Sequence, residues 1–123
     1  MKRILVVDDE VAITRLIKLN LEAAGGYLVS TENKASRAVE AVRNFKPDLV
    51  LLDIMMPDAM GTDIAAQLQD DPGLRHVKII FLTAIARKGE TEAGHPVGGQ
   101  IIIAKPATVE ELLTAIESAL ACV

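Results

Sequence analysis

Ile4-Leu5-Val6-Val7-Asp8-Asp9 runs four aliphatic residues straight into two acids, and Leu49-Val50-Leu51-Leu52-Asp53 repeats the arrangement further along the chain. Each run has the length of a buried strand. Neither alternates polar with apolar, which is the pattern of a strand covered on both faces. Ile79–Leu82 and Ile101–Ala104 are two more such runs, and Tyr27–Thr31 is a fifth, weaker one.

Helical spacing fills the gaps between these runs. Ile13, Leu16, Ile17, Leu21 and Ala24 recur with a helical period, and Gly25-Gly26 ends that stretch. Ala38, Val39, Val42 and Phe45 form a second stripe that stops before Pro47. Met60, Ile64 and Leu68 form a third, closed by the turn signal Asp71-Pro72-Gly73. Near the C-terminus Thr108 and Glu111 fit a capping box, followed by the core face Val109, Leu112, Leu113, Ile116 and Leu120. The segment Arg87–Gly99 is crowded with glycine and carries Pro96, so a short or broken helix is expected there. Strands alternating with helices predict an α/β fold, a parallel sheet with helices on both faces.

A chain of 123 residues, half of them hydrophobic, can bury one good core. There is no linker, repeat or low-complexity stretch, so residues 1–123 read as a single domain with no output domain in this chain. The net charge is −4, and no cluster of Lys or Arg makes a basic stripe, which argues against nucleic-acid binding. With Tyr27, Phe45 and Phe81 as its aromatics, the chain also lacks stacking platforms for single strands. Cys122 is the single cysteine, best read as a small apolar residue. The apolar run after Met1-Lys2-Arg3 is too short for a signal segment or a membrane span, so a cytoplasmic chain without membrane insertion is expected.

The polar residues that directly follow the strands carry the chemistry. In open α/β sheets the ligand site lies beyond the carboxyl ends of the strands. Those ends are Asp8-Asp9, Asp53, Thr83 and Lys105. Three carboxylates brought within a few ångströms repel one another, and Lys105 offsets one charge at most. A hard divalent cation resolves the remainder, and an all-oxygen ligand set suits magnesium. Beside such an ion Thr83 could donate to a phosphate oxygen and Lys105 could pair with another, which leaves Asp53 as a nucleophile for an acyl phosphate.

Each residue also has a plainer explanation. Asp9 fits a helix N-cap, Asp53 a loop acid, Lys105 a solvated strand end and Thr83 a β-branched strand residue. Capping alone does not account for two acids at a buried strand end. His76 and His95 have no partners at metal-ligand spacing and read as surface or loop residues. Met55 and Met56 read as packing and backbone donors.

Taken together, Val6-Val7-Asp8-Asp9-Glu10, Leu51-Leu52-Asp53-Ile54-Met55-Met56-Pro57 with Gly61, Thr83-Ala84 and Lys105-Pro106 resemble the response-regulator receiver family. They stand in that family's order and span nearly the whole chain. The resemblance implies a doubly wound, flavodoxin-like sheet of five parallel strands in the order 2-1-3-4-5. It implies Asp53 as phosphoacceptor, Asp9 as a direct magnesium ligand, Asp8 as a ligand through water and the Met55 backbone carbonyl as a further ligand. Thr83 and Lys105 would engage the phosphoryl group, with a cis bond before Pro106. The partner implied is a histidine kinase or a histidine phosphotransfer protein, with a downstream target reading the face made by Arg87–Gly99 and Ile101–Ile103.

Such a domain catalyses its own phosphorylation and dephosphorylation and is not a turnover enzyme. Where the family usually places Tyr or Phe, three residues before the lysine, this chain has Ile102. That exchange and the glycine-rich segment Arg87–Gly99, where the family has its fourth helix, motivate an alternative function, a constitutive interaction domain that keeps the fold without phosphate signalling. A magnesium-dependent phosphohydrolase would need a cap over its substrate, and no inserted segment is long enough to supply one.

Overall fold

The computed structural model describes residues 1–83, 95–97, 100–104 and 107–121; side chains at 95–97, 100, 101 and 104 are outside that description. The elements run β1 (Lys2–Val7), α1 (Val11–Ala24), β2 (Tyr27–Glu32), a 3-10 turn (Ala35–Arg37), α2 (Ala38–Phe45), β3 (Leu49–Asp53) and α3 (Gly61–Asp70). They continue through β4 (Lys78–Thr83), β5 (His95–Val97), β6 (Gln100–Ala104) and α4 (Val109–Ala121).

One sheet holds the strands in the order β2-β1-β3-β4-β6-β5. The first five of these pair in parallel, which is the expected order 2-1-3-4-5 with β6 as the fifth parallel strand. Beyond it lies a short sixth strand. His95–Val97 pairs antiparallel with β6, so these three residues are strand where a helix was expected. The rest of Arg87–Gly99 lies outside the described residues.

The continuous hydrophobicity of the strands follows from burial on two sides. Ile4, Val6, Leu49, Leu51, Ile80, Leu82 and Ile103 pack with Ile17 and Leu21 of α1 and Leu112 and Ile116 of α4. Their neighbours Leu5, Val7, Val50, Leu52, Ile79, Phe81 and Ile102 pack with Ala38 and Val42 of α2 and Ile64 and Leu68 of α3. Alternate side chains of a strand point to opposite faces, and here both faces are covered. Burying one such aliphatic side chain stabilises the fold by roughly 1.5–3 kcal/mol. Truncating Leu51, which is fully buried at the centre of the sheet, would cost about 2–5 kcal/mol.

The helix ends are local. Gly25 and Gly26 both take positive φ, 85° and 88°, and turn the chain from α1 into β2. Lys46 leaves α2 in the left-handed conformation, φ 55°, just before Pro47. The Thr108–Glu111 capping box forms as expected: the Glu111 N–H donates to Thr108 Oγ1 and the Thr108 N–H to Glu111 Oε1, both at 3.1 Å. Some residues depart from their expected roles: Ala24 is exposed at the end of α1, and Met60 is the exposed N-cap residue before α3. Leu16 is exposed, because Ile17 takes the core side of α1. Asp9 is not the N-cap of α1; Glu10 stands there and makes no side-chain capping bond. Among the described residues no helix is long and apolar enough to cross a membrane.

Candidate functional site

The parallel strands put their carboxyl ends on one rim, and the polar residues sit where the apolar runs stop. Val7 is in register with Leu52, and Asp53 with Leu82, so Asp8, Asp53 and Thr83 end three adjacent strands. All three are buried, at 0%, 4% and 3% exposure, while Asp9 in the following loop is exposed. Side-chain oxygens of Asp8, Asp9 and Asp53 all lie within 4.8 Å of one another. Like charges this close repel strongly where water is partly excluded. The donor set is entirely carboxylate oxygen and stays open to solvent through Asp9, which fits a hard cation that keeps some of its waters. Lys105 and Pro106 lie outside the described residues, as does the expected cis bond between them. Ala104, the residue before Lys105, is in register with Thr83.

The loop after β1 is held tightly. The Asp8 N–H donates to the Glu32 carbonyl at 3.1 Å, continuing the β1–β2 ladder by one residue. Asp8 Oδ1 accepts the Glu10 N–H at 3.0 Å, an Asx turn that steers the chain into α1. Asn33, just beyond β2, donates from Nδ2 to the Asp8 carbonyl at 2.8 Å and to Thr14 Oγ1 at 3.0 Å. Sequence reasoning singled out neither Asn33 nor Thr14. The rule that located the acids, a polar residue directly past a strand, marks Glu32 when applied to Tyr27–Thr31; β2 runs one residue further, which puts Asn33 directly past its end.

The loop after β3 is closed by short contacts. The Ile54 N–H donates to the Leu82 carbonyl at 3.0 Å, and the Gly61 N–H to the Ile54 carbonyl at 2.7 Å. Met55 and Met60 face each other as an antiparallel bridge. Met56 packs into the core, as expected of a packing residue, whereas the Met55 side chain is 53% exposed. Asp58 Oδ2 accepts the Ser36 N–H at 3.1 Å, the first of the contacts that hold its carboxyl below the ordinary aspartate range. Ile102 is buried with Phe81 in the α2/α3 side of the core. His76 is an exposed turn residue. It borders a cavity of about 330 Å³ with Arg43, Lys46 and Asp71, by the chain segments that enter β3 and β4, away from the carboxylate rim.

A five-stranded parallel sheet in this order, with acids at the ends of its first and third strands, defines a class. The chain belongs to the response regulator receiver domain family, whose model matches residues 4–117. Among curated relatives, the polar-differentiation response regulator DivK of Brucella anthropi is 34% identical over 117 residues, covering 95% of this chain and 94% of that protein. A receiver protein described as CheY-like from Methanospirillum hungatei is 31% identical with a TM-score of 0.80, covering 98% of this chain and 94% of that one. The N-terminal domain of a response regulator receiver protein from Methanoculleus marisnigri is 37% identical with a TM-score of 0.73, covering 98% of both chains. Membership places the chain in two-component signalling and implies interaction with histidine kinases or phosphotransfer proteins.

Proposed function

We propose that this chain is a phosphorylation-operated switch that accepts a phosphoryl group on Asp53 from the phosphohistidine of a kinase or phosphotransfer protein. The observation that carries the reading is the convergence of Asp8, Asp9 and Asp53 within 4.8 Å at the ends of two neighbouring parallel strands. In the transfer an Asp53 oxygen forms the new P–O bond as the P–N bond breaks, and the electron pair stays on the imidazole nitrogen. Asp9 would hold magnesium directly, Asp8 through water, and Asp53 and the Met55 backbone carbonyl would complete the protein ligands. When bound, magnesium neutralises charge on the phosphoryl oxygens.

Thr83, at the end of β4, would donate its hydroxyl to one phosphoryl oxygen, and Lys105 would pair with another. Because Ile102 carries no ring, the response to phosphate runs through Thr83 and the loop after it. A downstream protein would read the face that includes Arg87–Gly99 and Ile101–Ile103. The same reading places the chain in the cytoplasm, where kinases of this class present their phosphohistidine.

The test is phosphorylation by acetyl phosphate with magnesium, read by intact-protein mass spectrometry. The wild type should gain one phosphoryl group, and Asp53→Asn should gain none under the same conditions. Full labelling of Asp53→Asn would move the acceptor elsewhere. A wild type that takes no label would favour the constitutive interaction domain.

A further inference from the structure

Asn33 stands one residue beyond β2, outside the carboxylate cluster, yet both hydrogens of its amide are committed to the chain segment that carries the cluster. One goes to the Asp8 carbonyl at 2.8 Å and the other to Thr14 Oγ1 at 3.0 Å. Thr14 is 1% exposed and passes its own hydroxyl hydrogen to the Val11 carbonyl at 3.0 Å. These bonds therefore reach both flanks of Asp9: the residue that leaves β1 and the first turn of α1. The Glu32 carboxylate fixes Asn33 in turn, since its Oε2 accepts the N–H groups of Asn33 at 2.9 Å and Lys34 at 3.0 Å.

We infer that Asn33 is a positioning residue for the divalent-cation site, acting by fixing the separation between Asp8 and the start of α1 and so the place of the Asp9 carboxylate. This inference rests on the proposed magnesium site. A ligand carboxylate on a loop loses affinity when its supporting hydrogen bonds are removed, because the loop must then be ordered by the ion itself. Asp9 is the exposed member of the cluster, so it depends most on such support.

The experiment is magnesium titration by calorimetry on the whole chain, with melting temperature and amide hydrogen exchange measured on the same samples. Asn33→Ala should weaken magnesium binding about tenfold, the low end for outer-shell partners of a metal ligand. Phosphoryl uptake from acetyl phosphate should need more magnesium to half-saturate and recover the wild-type rate at saturation. Thr14→Ala should act in the same direction, Thr14→Ser should restore affinity, and the double alanine variant should be no worse than Asn33→Ala, because the residues form one chain of bonds. The Glu10 amide, held by Asp8 Oδ1, should exchange faster in metal-free Asn33→Ala. Magnesium affinity within twofold of wild type would overturn the inference, and so would a loss that merely tracks the unfolded fraction. If the wild type itself binds no magnesium, the proposed magnesium site fails and the inference falls with it, whereas magnesium binding that Asn33→Ala leaves intact overturns the inference alone.

Discussion

The Gly61 N–H meets the Ile54 carbonyl at 2.7 Å, and this contact leaves no space for a side chain at residue 61. A methyl group there would collide with the Asp53 carbonyl oxygen and stand 3.0 Å from Ile54 Cα. The start of α3 thus rests directly on the backbone of the proposed acceptor. Backbone on both sides cannot rotate away as a flexible side chain would, so the added atom has to displace α3 or the end of β3.

Gly61→Ala should therefore destabilise the fold by about 1–3 kcal/mol, the usual cost of forcing an extra methyl into a packed site. Urea denaturation measures this, and phosphoryl uptake by Asp53 should fall with it. Wild-type stability and uptake together would show that the loop between Ile54 and Gly61 yields freely.

The carboxylate cluster makes an opposite prediction for Asp9. Its side chain does not cap α1, so removing it forfeits no capping bond. It does relieve repulsion from Asp8 and Asp53, whose carboxylates lie within 4.8 Å. In metal-free buffer Asp9→Ala should melt at or above the wild-type temperature. Magnesium should raise the wild-type melting point, by binding the folded state only, and leave the variant nearly unmoved. A lower metal-free melting point for Asp9→Ala would assign the residue to local structure.

Asp58, in the loop after β3, supplies a pH test. The Ser36 N–H, its largest influence, holds the folded carboxyl below the ordinary aspartate value. A depressed folded pKa contributes stability that is complete above the unfolded pKa and is lost as pH falls through the folded one. The stability difference between wild type and Asp58→Asn should be constant near neutrality and shrink on acidification below the normal aspartate range. Titration of the other acids is common to both proteins and cancels. A difference that grows toward acid pH would contradict this assignment.

The parallel frame was legible because Ile4–Val7, Leu49–Leu52 and Ile79–Leu82 are apolar without alternation, and only burial on two faces accounts for that. The acids were legible because Asp8 and Asp53 follow those runs without an intervening turn. The antiparallel strand His95–Val97 was not, since three residues including a proline carry no period. Its one signal was Gly98-Gly99, a two-residue glycine pair between Val97 and Gln100, which are in register across the hairpin. Asn33 escaped because β2 is an edge strand whose mixed burial weakens its pattern. Asp9 was expected to cap α1 because its residue type suits that role. The chain uses Asp8 instead to hold the Glu10 N–H, which leaves Asp9 to the cluster.

The side chain at Met55 bears on how long a phosphoryl group on Asp53 would last. On the proposed function, hydrolysis of an acyl phosphate on Asp53 needs water to approach in line, past the residue two positions after Asp53, which is Met55, and the residue two after Thr83, Ile85, which lies outside the described residues. The Met55 side chain is 53% exposed and carries no group that orients water. Its backbone is held by the bridge to Met60, so a substitution there changes the side chain without freeing the loop. An amide at this position could hold a water by hydrogen bonding where a thioether leaves it unplaced. Met55→Asn should hasten loss of phosphate on the order of tenfold, equal to about 1.4 kcal/mol of barrier. The measurement is decay of phosphorylated protein after acetyl phosphate is removed, with Met55→Leu as an apolar control that should decay at the wild-type rate. If Met55→Asn decays no faster than Met55→Leu, water at this position does not set the lifetime.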